Sequence, residues 1–467
     1  MNILLKLISI NVVSIIVMSV SGSYHLAILS FFTLLFHWLA ISQFLKEPSL
    51  QSTCNILIFY SFILCIISII SYEQSVTIGG ELTPYLGGSD GQGYIDQALL
   101  ILGDDKIDRL VFSSAYFGYQ YILSFAFDIF GANLFVGLLL NNTLLLLTVL
   151  LIVRIAWILT NDHHTCFYSA LAFILTAKFI YYSNTLLKDP FIILGVALLS
   201  YMITKIHVKK AVTLSSYLAL ILAALIFGMM RQPMLAFIPI SFIILGRTTL
   251  KAIWLPGFLF FLLGAPFIAF TDTFTSHVFL PEMVAETVLN NQLLSRTEFY
   301  YGNIEGSVKT ISNLYLGLPV LIRILLVVIP GSLHFILPFN FWSTAFINDH
   351  LINFFNSNLN IIWYLFVGVF MIYGAIYWRR LPKNMATRLF LFGVASYLFQ
   401  AFVFAGVVPR YASPFYVMMY PTIGFLMSCL FENRGDYIHI KKFFQSYYFL
   451  VFIIGILFVI LSLTRST

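Results

Sequence analysis

The chain has 467 residues, 60% of them hydrophobic and only 9% charged, with a mean hydropathy of +0.94. That balance excludes a soluble domain and describes an all-α polytopic membrane protein, a bundle of transmembrane helices. The net charge of +6 belongs to basic loops beside anionic lipid and gives no reason to expect nucleic acid.

Apolar runs of roughly 15 to 22 residues, enough to cross about 30 Å of hydrocarbon, recur along the chain and predict about thirteen crossings. In chain order they cover Ile3 to Gly22, His25 to Phe44, Asn55 to Ser71, Ala132 to Val153, Phe167 to Tyr182, Pro190 to Thr204 and Val212 to Met229. They continue over Met234 to Gly246, Ile253 to Phe270, Ile361 to Trp378, Leu389 to Gly406, Ser413 to Phe431 and Tyr447 to Leu463. The first run is read as a retained anchor, because no small-residue cleavage site follows Ser21-Gly22-Ser23. Cys54, Cys65, Cys166 and Cys429 lie in or beside such runs without paired spacing and read as small buried hydrophobes.

With the N-terminus inside, Lys205/Lys209/Lys210, Arg247/Lys251, Arg379/Arg380/Lys383 and Arg434/Lys441/Lys442 all face the cytoplasm, as the positive-inside rule asks. Acidic residues, among them Glu73, Glu81, Asp90, Asp96, Asp189 and Asp272, then collect on the outer face. Four units are expected: a transmembrane hairpin over residues 1–53, a transmembrane module over 54–270 with its first outer loop at 72–131, a large outer loop over 271–360, and C-terminal helices over 361–467. Within the outer loops, Tyr116 to Phe130 is expected to lie along the membrane surface, and Leu316 to Leu337 to be re-entrant or surface-lying.

The segment Gly87-Gly88-Ser89-Asp90-Gly91-Gln92-Gly93-Tyr94-Ile95-Asp96 is acidic, polar and Gly-rich in an otherwise lipid-soluble chain, so it reads as a turn-forming loop that meets a substrate. Three further outer turns set charge beside apolar helix ends: Lys188-Asp189, Arg231 in Met230-Arg231-Gln232-Pro233, and Arg410 in Pro409-Arg410-Tyr411. A charge in hydrocarbon costs about 2.5–3.5 kcal/mol even on the lenient scale, so such residues face a polar cavity or a partner. Acids and bases at one face suit a site that holds an anionic lipid headgroup. The bland accounts are a solvated connector for Asp90, snorkelling for Arg231 and Arg410, and, for Lys188-Asp189, mutual pairing or a cap on the helix that Pro190 begins. Asp162-His163-His164 has no third ligand at metal spacing and receives no role.

These motifs, in their order, resemble the GT-C-fold membrane glycosyltransferases, in particular the protein-mannosyltransferase and aminoarabinose-transferase-like branch. Ser89-Asp90 with Tyr94 and Ala98 looks like the family's catalytic first outer loop. Phe117-Gly118-Tyr119 through Phe130-Gly131, then Asn141 and Arg154, resemble its juxtamembrane helix and following span, and Tyr181 to Pro190, Arg231-Gln232-Pro233 and Arg410-Tyr411 with Pro414 resemble its later elements. The sequence departs from the family in two ways: two spans precede the helix that would come first, and the usual Asp-Glu pair is Asp90-Gly91.

The resemblance implies sugar transfer from a polyprenyl-phosphate carrier to a glycan, lipid-linked or protein acceptor, at the periplasmic face of a bacterial inner membrane, within cell-surface polysaccharide synthesis. Asp90 would be the catalytic base. Arg231 and Arg410, with Lys188 behind them, would hold the leaving phosphate; Tyr94, Tyr116 and Tyr119 would line the sugar face. Asp96 would bind sugar hydroxyls, with Asp189 and Tyr411 beside them in the substrate site. No cofactor is certain, and a divalent cation near Asp90 stays open. One competing reading is an O-antigen or capsule repeat-unit polymerase acting on pyrophosphate-linked oligosaccharide, which the long loop Thr271 to Asn360 suits. The other is a polysaccharide or lipid transporter or flippase, disfavoured by the lack of an internal repeat and of matched broken helices.

Overall fold

The computed structural model describes residues 3–78, 80, 82, 88–103, 118–209, 213–245, 362–403, 413–435 and 437–465. Within them run α1 (Ile3–Ser21), α2 (Tyr24–Phe44), α3 (Gln51–Ile78), α4 (Gly88–Gly103), α5 (Gly118–Phe130), α6 (Leu134–Thr160), α7 (His163–Ile174), α8 (Ala177–Ser183), α9 (Asp189–Lys209), α10 (Leu214–Met230), α11 (Phe237–Leu245), α12 (Val369–Ile376), α13 (Met385–Val403), α14 (Tyr416–Phe431) and α15 (Tyr437–Arg465). No strand occurs among the described residues. Five helical stretches are long and apolar enough to cross a membrane: Tyr24–Phe44, Pro48–Thr77, Leu134–Thr160, Asp189–Val208 and Ser413–Phe431. Shorter apolar helices accompany them, so the chain is a helical membrane protein. The expected crossing at Ile253 to Phe270 and the segment Leu316 to Leu337 lie outside the described residues.

The span at Asp189–Val208 is 78% buried and that at Ser413–Phe431 83%, against 28% for Tyr24–Phe44, which places α9 and α14 centrally and α2 at the rim. Phe32, Leu214, Ile243, Phe449 and Phe452 are exposed, as lipid-facing side chains of such a bundle would be. Helix α7 crosses α14 so closely that a Cβ at Gly424 would collide with Ser169 and the Thr165 carbonyl, so only glycine fits there.

Two expectations are corrected. Phe167 to Tyr182 is not one helix: it breaks at Leu175-Thr176 between α7 and α8. The Thr176 hydroxyl bonds back to the Ala172 carbonyl at 2.9 Å and meets the Tyr420 hydroxyl at 2.6 Å, so the break is satisfied from within the bundle. The Gly-rich segment expected as a loop is helical from Gly88 onward. Glycine costs a helix about 1 kcal/mol per residue relative to alanine, so propensity does not hold α4; tertiary packing does. Ile95 and Ala98 are fully buried, and Gln120 on α5 donates to the side-chain oxygen of Gln97.

The first two helices are fastened to the rest by polar contacts. His37 of α2 is buried, with Nδ1 on the Ser61 hydroxyl of α3 and Nε2 at 2.9 Å from the Thr143 hydroxyl of α6. Beyond the end of α2, Glu47 accepts from Arg154 at 2.6 Å.

Candidate functional site

The helices give the bundle two chemically distinct ends. At one, Glu47–Arg154 is joined by Asp162, which caps α7 by accepting from the His164 and Thr165 amides and faces Arg434 at 3.5 Å. His164, given no role from the sequence, stands 3.2 Å from Glu432 there. Burial alone would raise the Asp162 carboxyl, but the Thr165 hydroxyl, the two capping amides and Arg434 hold it below its ordinary value. Glu47 is likewise lowered: burial pushes it up, and the Arg154 hydrogen bond, its own backbone and the Arg154 charge outweigh that.

The other end gathers most of the described candidates from the sequence. Asp189 opens α9 and is fully buried, and Arg231, which caps the end of α10, reaches its carboxylate at 3.4 Å. This pair joins residues 42 positions apart in sequence. The Arg231 side chain is only 12% exposed, a setting in which a guanidinium needs a counter-ion. Lys188, itself buried, holds its ammonium 5.9 Å from the centre of the Tyr94 ring. Tyr94 meets Tyr119 edge to face at 5.1 Å, and Tyr119 meets Phe191 at 6.0 Å. Burial drives the Tyr119 phenol well above its usual range, so it stays protonated and donates to the Asn141 side-chain oxygen at 3.4 Å.

Asn141 is the brace the sequence did not single out as such. Its side-chain amide donates to the Tyr182 carbonyl at 3.5 Å and the Leu187 carbonyl at 3.2 Å, spanning the turn that presents Lys188 and Asp189. Within this turn Leu186 has φ +47°, a left-handed backbone that a branched side chain adopts only under external constraint. The constraint comes from α3 and α6: Ser68 donates to the Asn184 side chain, Ser71 to its carbonyl, and Asn142 to Ser68. A buried asparagine inside an apolar span is itself a signal, since each such amide must find partners. Gly118 lets the start of α5 press on the end of α10, where a Cβ would overlap Met229.

Asp90 falls in the first turn of α4, where the helix dipole favours a carboxylate; its side chain lies outside the described structure. Asp96 is exposed and accepts from Gln92 at 2.7 Å. That hydrogen bond stays within α4, whereas the ring and ion-pair contacts of Tyr94, Tyr119, Lys188, Asp189 and Arg231 run between helices. Tyr116, Arg410 and Tyr411 lie outside the described residues. Among the described residues no group of His, Cys, Asp and Glu is arranged to hold a metal. The four cysteines are buried and form no disulfide.

No protein-family model and no curated protein matches the chain. Among solved structures, the crystal structure of ArnT from Cupriavidus metallidurans in the apo state is similar to it at 12% identity, with a TM-score of 0.36 over 81% of this chain and 79% of that one.

Proposed function

We propose that the protein is a GT-C-type membrane glycosyltransferase that moves a sugar from a polyprenyl-phosphate carrier to a glycan, lipid-linked or protein hydroxyl, at the outer face of a cytoplasmic membrane. The observation that carries the reading is the meeting of Tyr94, Tyr119, Lys188, Asp189 and Arg231 at one end of an apolar bundle. They come from α4, α5, the α8–α9 turn and the end of α10. Aromatic faces suit a pyranose ring, buried cations suit a phosphate, and the ordered sequence motifs around Asp90 supply an acid/base.

In the step proposed, the acceptor hydroxyl gives its proton to the Asp90 carboxylate as its oxygen bonds the anomeric carbon. The bond from that carbon to the phosphate oxygen breaks through an oxocarbenium-like transition state, and its electron pair leaves with the lipid phosphate. Fixed cations at this end stabilise the charge gained by the phosphate. The Asp189–Arg231 pair holds the wall of the site, and Asp96 offers an acceptor for sugar hydroxyls.

The test compares wild type with Asp90→Asn at matched expression, in the native host or in vesicles, reading lipid-linked species by mass spectrometry. The expected result is accumulation of a polyprenyl-monophosphate sugar beside a glycan lacking one residue. Accumulation of single repeat units on a pyrophosphate carrier would replace this reading with a repeat-unit polymerase. Unchanged products would remove Asp90 from the site. The same assay with and without a chelator decides whether a divalent cation takes part.

A further inference from the structure

Lys178 lies on α8 one helical turn before Tyr182, within the stretch 167–182 that reads from the sequence as an apolar span. Its side chain is half-buried, with its ammonium turned toward α14. Among the described residues it has neither a carboxylate partner nor a hydrogen bond; its one contact is the Tyr416 ring, 6.0 Å away at the limit of a cation–π interaction. Every other ammonium or guanidinium placed at this end has a role already: Arg231 is matched by Asp189, and Lys188 faces Tyr94.

The surroundings suit an anion. Tyr416 is stacked between Trp363 at 5.1 Å and Tyr397 at 5.6 Å, so the wall opposite Lys178 carries aromatic rings and phenol hydroxyls and no acidic group among the described residues. The position is also continuous with the site above it. Tyr182, four residues on and so on the same face of α8, meets Ser413 at 3.5 Å just before Tyr416, and Asn141 ties the Tyr182 carbonyl to the turn that carries Lys188. An unmatched ammonium inside a membrane bundle persists where a ligand supplies the missing charge.

We propose that Lys178 holds the phosphate of the lipid carrier, deeper in the bundle than the Lys188–Asp189–Arg231 cluster, with the sugar lying above it against Tyr94, whose ring Tyr119 backs from within. The inference rests on the transferase reading and adds to it the position of the phosphate. It also divides the work of the cations. The Arg231 charge is matched within the protein and serves architecture, whereas Lys178 is left to meet the dianion that forms as the sugar departs.

The experiment measures binding of polyprenyl phosphate, the matching polyprenol and inorganic phosphate to purified full-length protein in nanodiscs. It uses wild type, Lys178→Met, Lys178→Gln and Lys178→Arg, with thermal stability recorded for each. Loss of the ammonium is expected to weaken polyprenyl-phosphate binding about ten- to a hundred-fold, to leave polyprenol binding unchanged, and to leave stability equal or higher. Lys178→Arg is expected to retain most of the affinity. If Lys178→Met and Lys178→Gln bind the phosphate lipid as wild type does, or if both melt well below it, the assignment of Lys178 falls and the transferase reading stands. If inorganic phosphate displaces the lipid at equal concentration, the anion held is free phosphate and the carrier assignment falls. If wild type itself does not distinguish polyprenyl phosphate from polyprenol, the transferase reading fails and the inference fails with it.

Discussion

The two ends of the bundle use the same residue types under opposite conditions. At the Asp162 end, Arg434 is 52% exposed and the charges sit on turns, where they cap α7 and join the α14–α15 connection to it. At the Asp189 end, the carboxylate is fully buried and its arginine nearly so. Exposed ion pairs contribute roughly 0–1 kcal/mol, while removing one member of a buried pair strands the other at a cost of about 3–5 kcal/mol. The difference teaches where to look for chemistry: a charge kept where it is expensive needs a reason that folding alone does not supply.

Four variants test that contrast. Asp189→Ala strands Arg231 and is expected to lower stability by about 3–5 kcal/mol, whereas Arg434→Ala costs less than about 1 kcal/mol. Thermal unfolding of the two purified variants measures both, and equal losses would break the comparison. A double Asp189→Leu, Arg231→Leu variant is expected to recover most of the stability. A smaller effect is expected from Asn141→Leu, which removes the donor for the Tyr182 and Leu187 carbonyls and the acceptor for Tyr119. The expected loss is on the order of 1–3 kcal/mol. It should come with a larger drop in transfer than a packing substitution of equal cost at Gly424, because Asn141 sets the turn beneath Lys188.

The smallest effect belongs to the Asp162 end and depends on pH. Asp162 and Glu47 are held below their ordinary values of 3.8 and 4.5. Their contribution is therefore present in full above those values and is lost as pH falls below them. Asp162→Ala is expected to cost about 0.5–2 kcal/mol at neutral pH through the lost cap. The gap to wild type should shrink in melts taken below about pH 3.8. A gap that stays constant into acid would mean that the cap acts through something other than its charge.

Long apolar runs such as Tyr24–Phe44 and Leu134–Thr160 were legible in the sequence, since the bilayer dictates both their length and their polarity. The helix at Gly88 was not, because local glycine content argues for a turn and only the packing of Ile95, Ala98 and Gln97 on α5 reverses it. That Lys188, Asp189 and Arg231 set charge beside helix ends could be read from the sequence. Their pairing could not, because it depends on α9 and α10 lying side by side. Lys178 carried a signal that was passed over: a single lysine inside an otherwise apolar span.

The fastening of α2 has a mechanical consequence. His37 joins it to α3 and α6 within the apolar layer, and Glu47–Arg154 holds the connection that follows it at one end. A single pin would let a helix pair swivel, and a single collar would let it slide; two fixings at different heights forbid both. The pair is thereby a stave of the barrel, keyed to α6, and α6 is the same helix that carries Asn141 to the floor of the site. A load applied to the rim at α2 would therefore pass to α3 and α6 together.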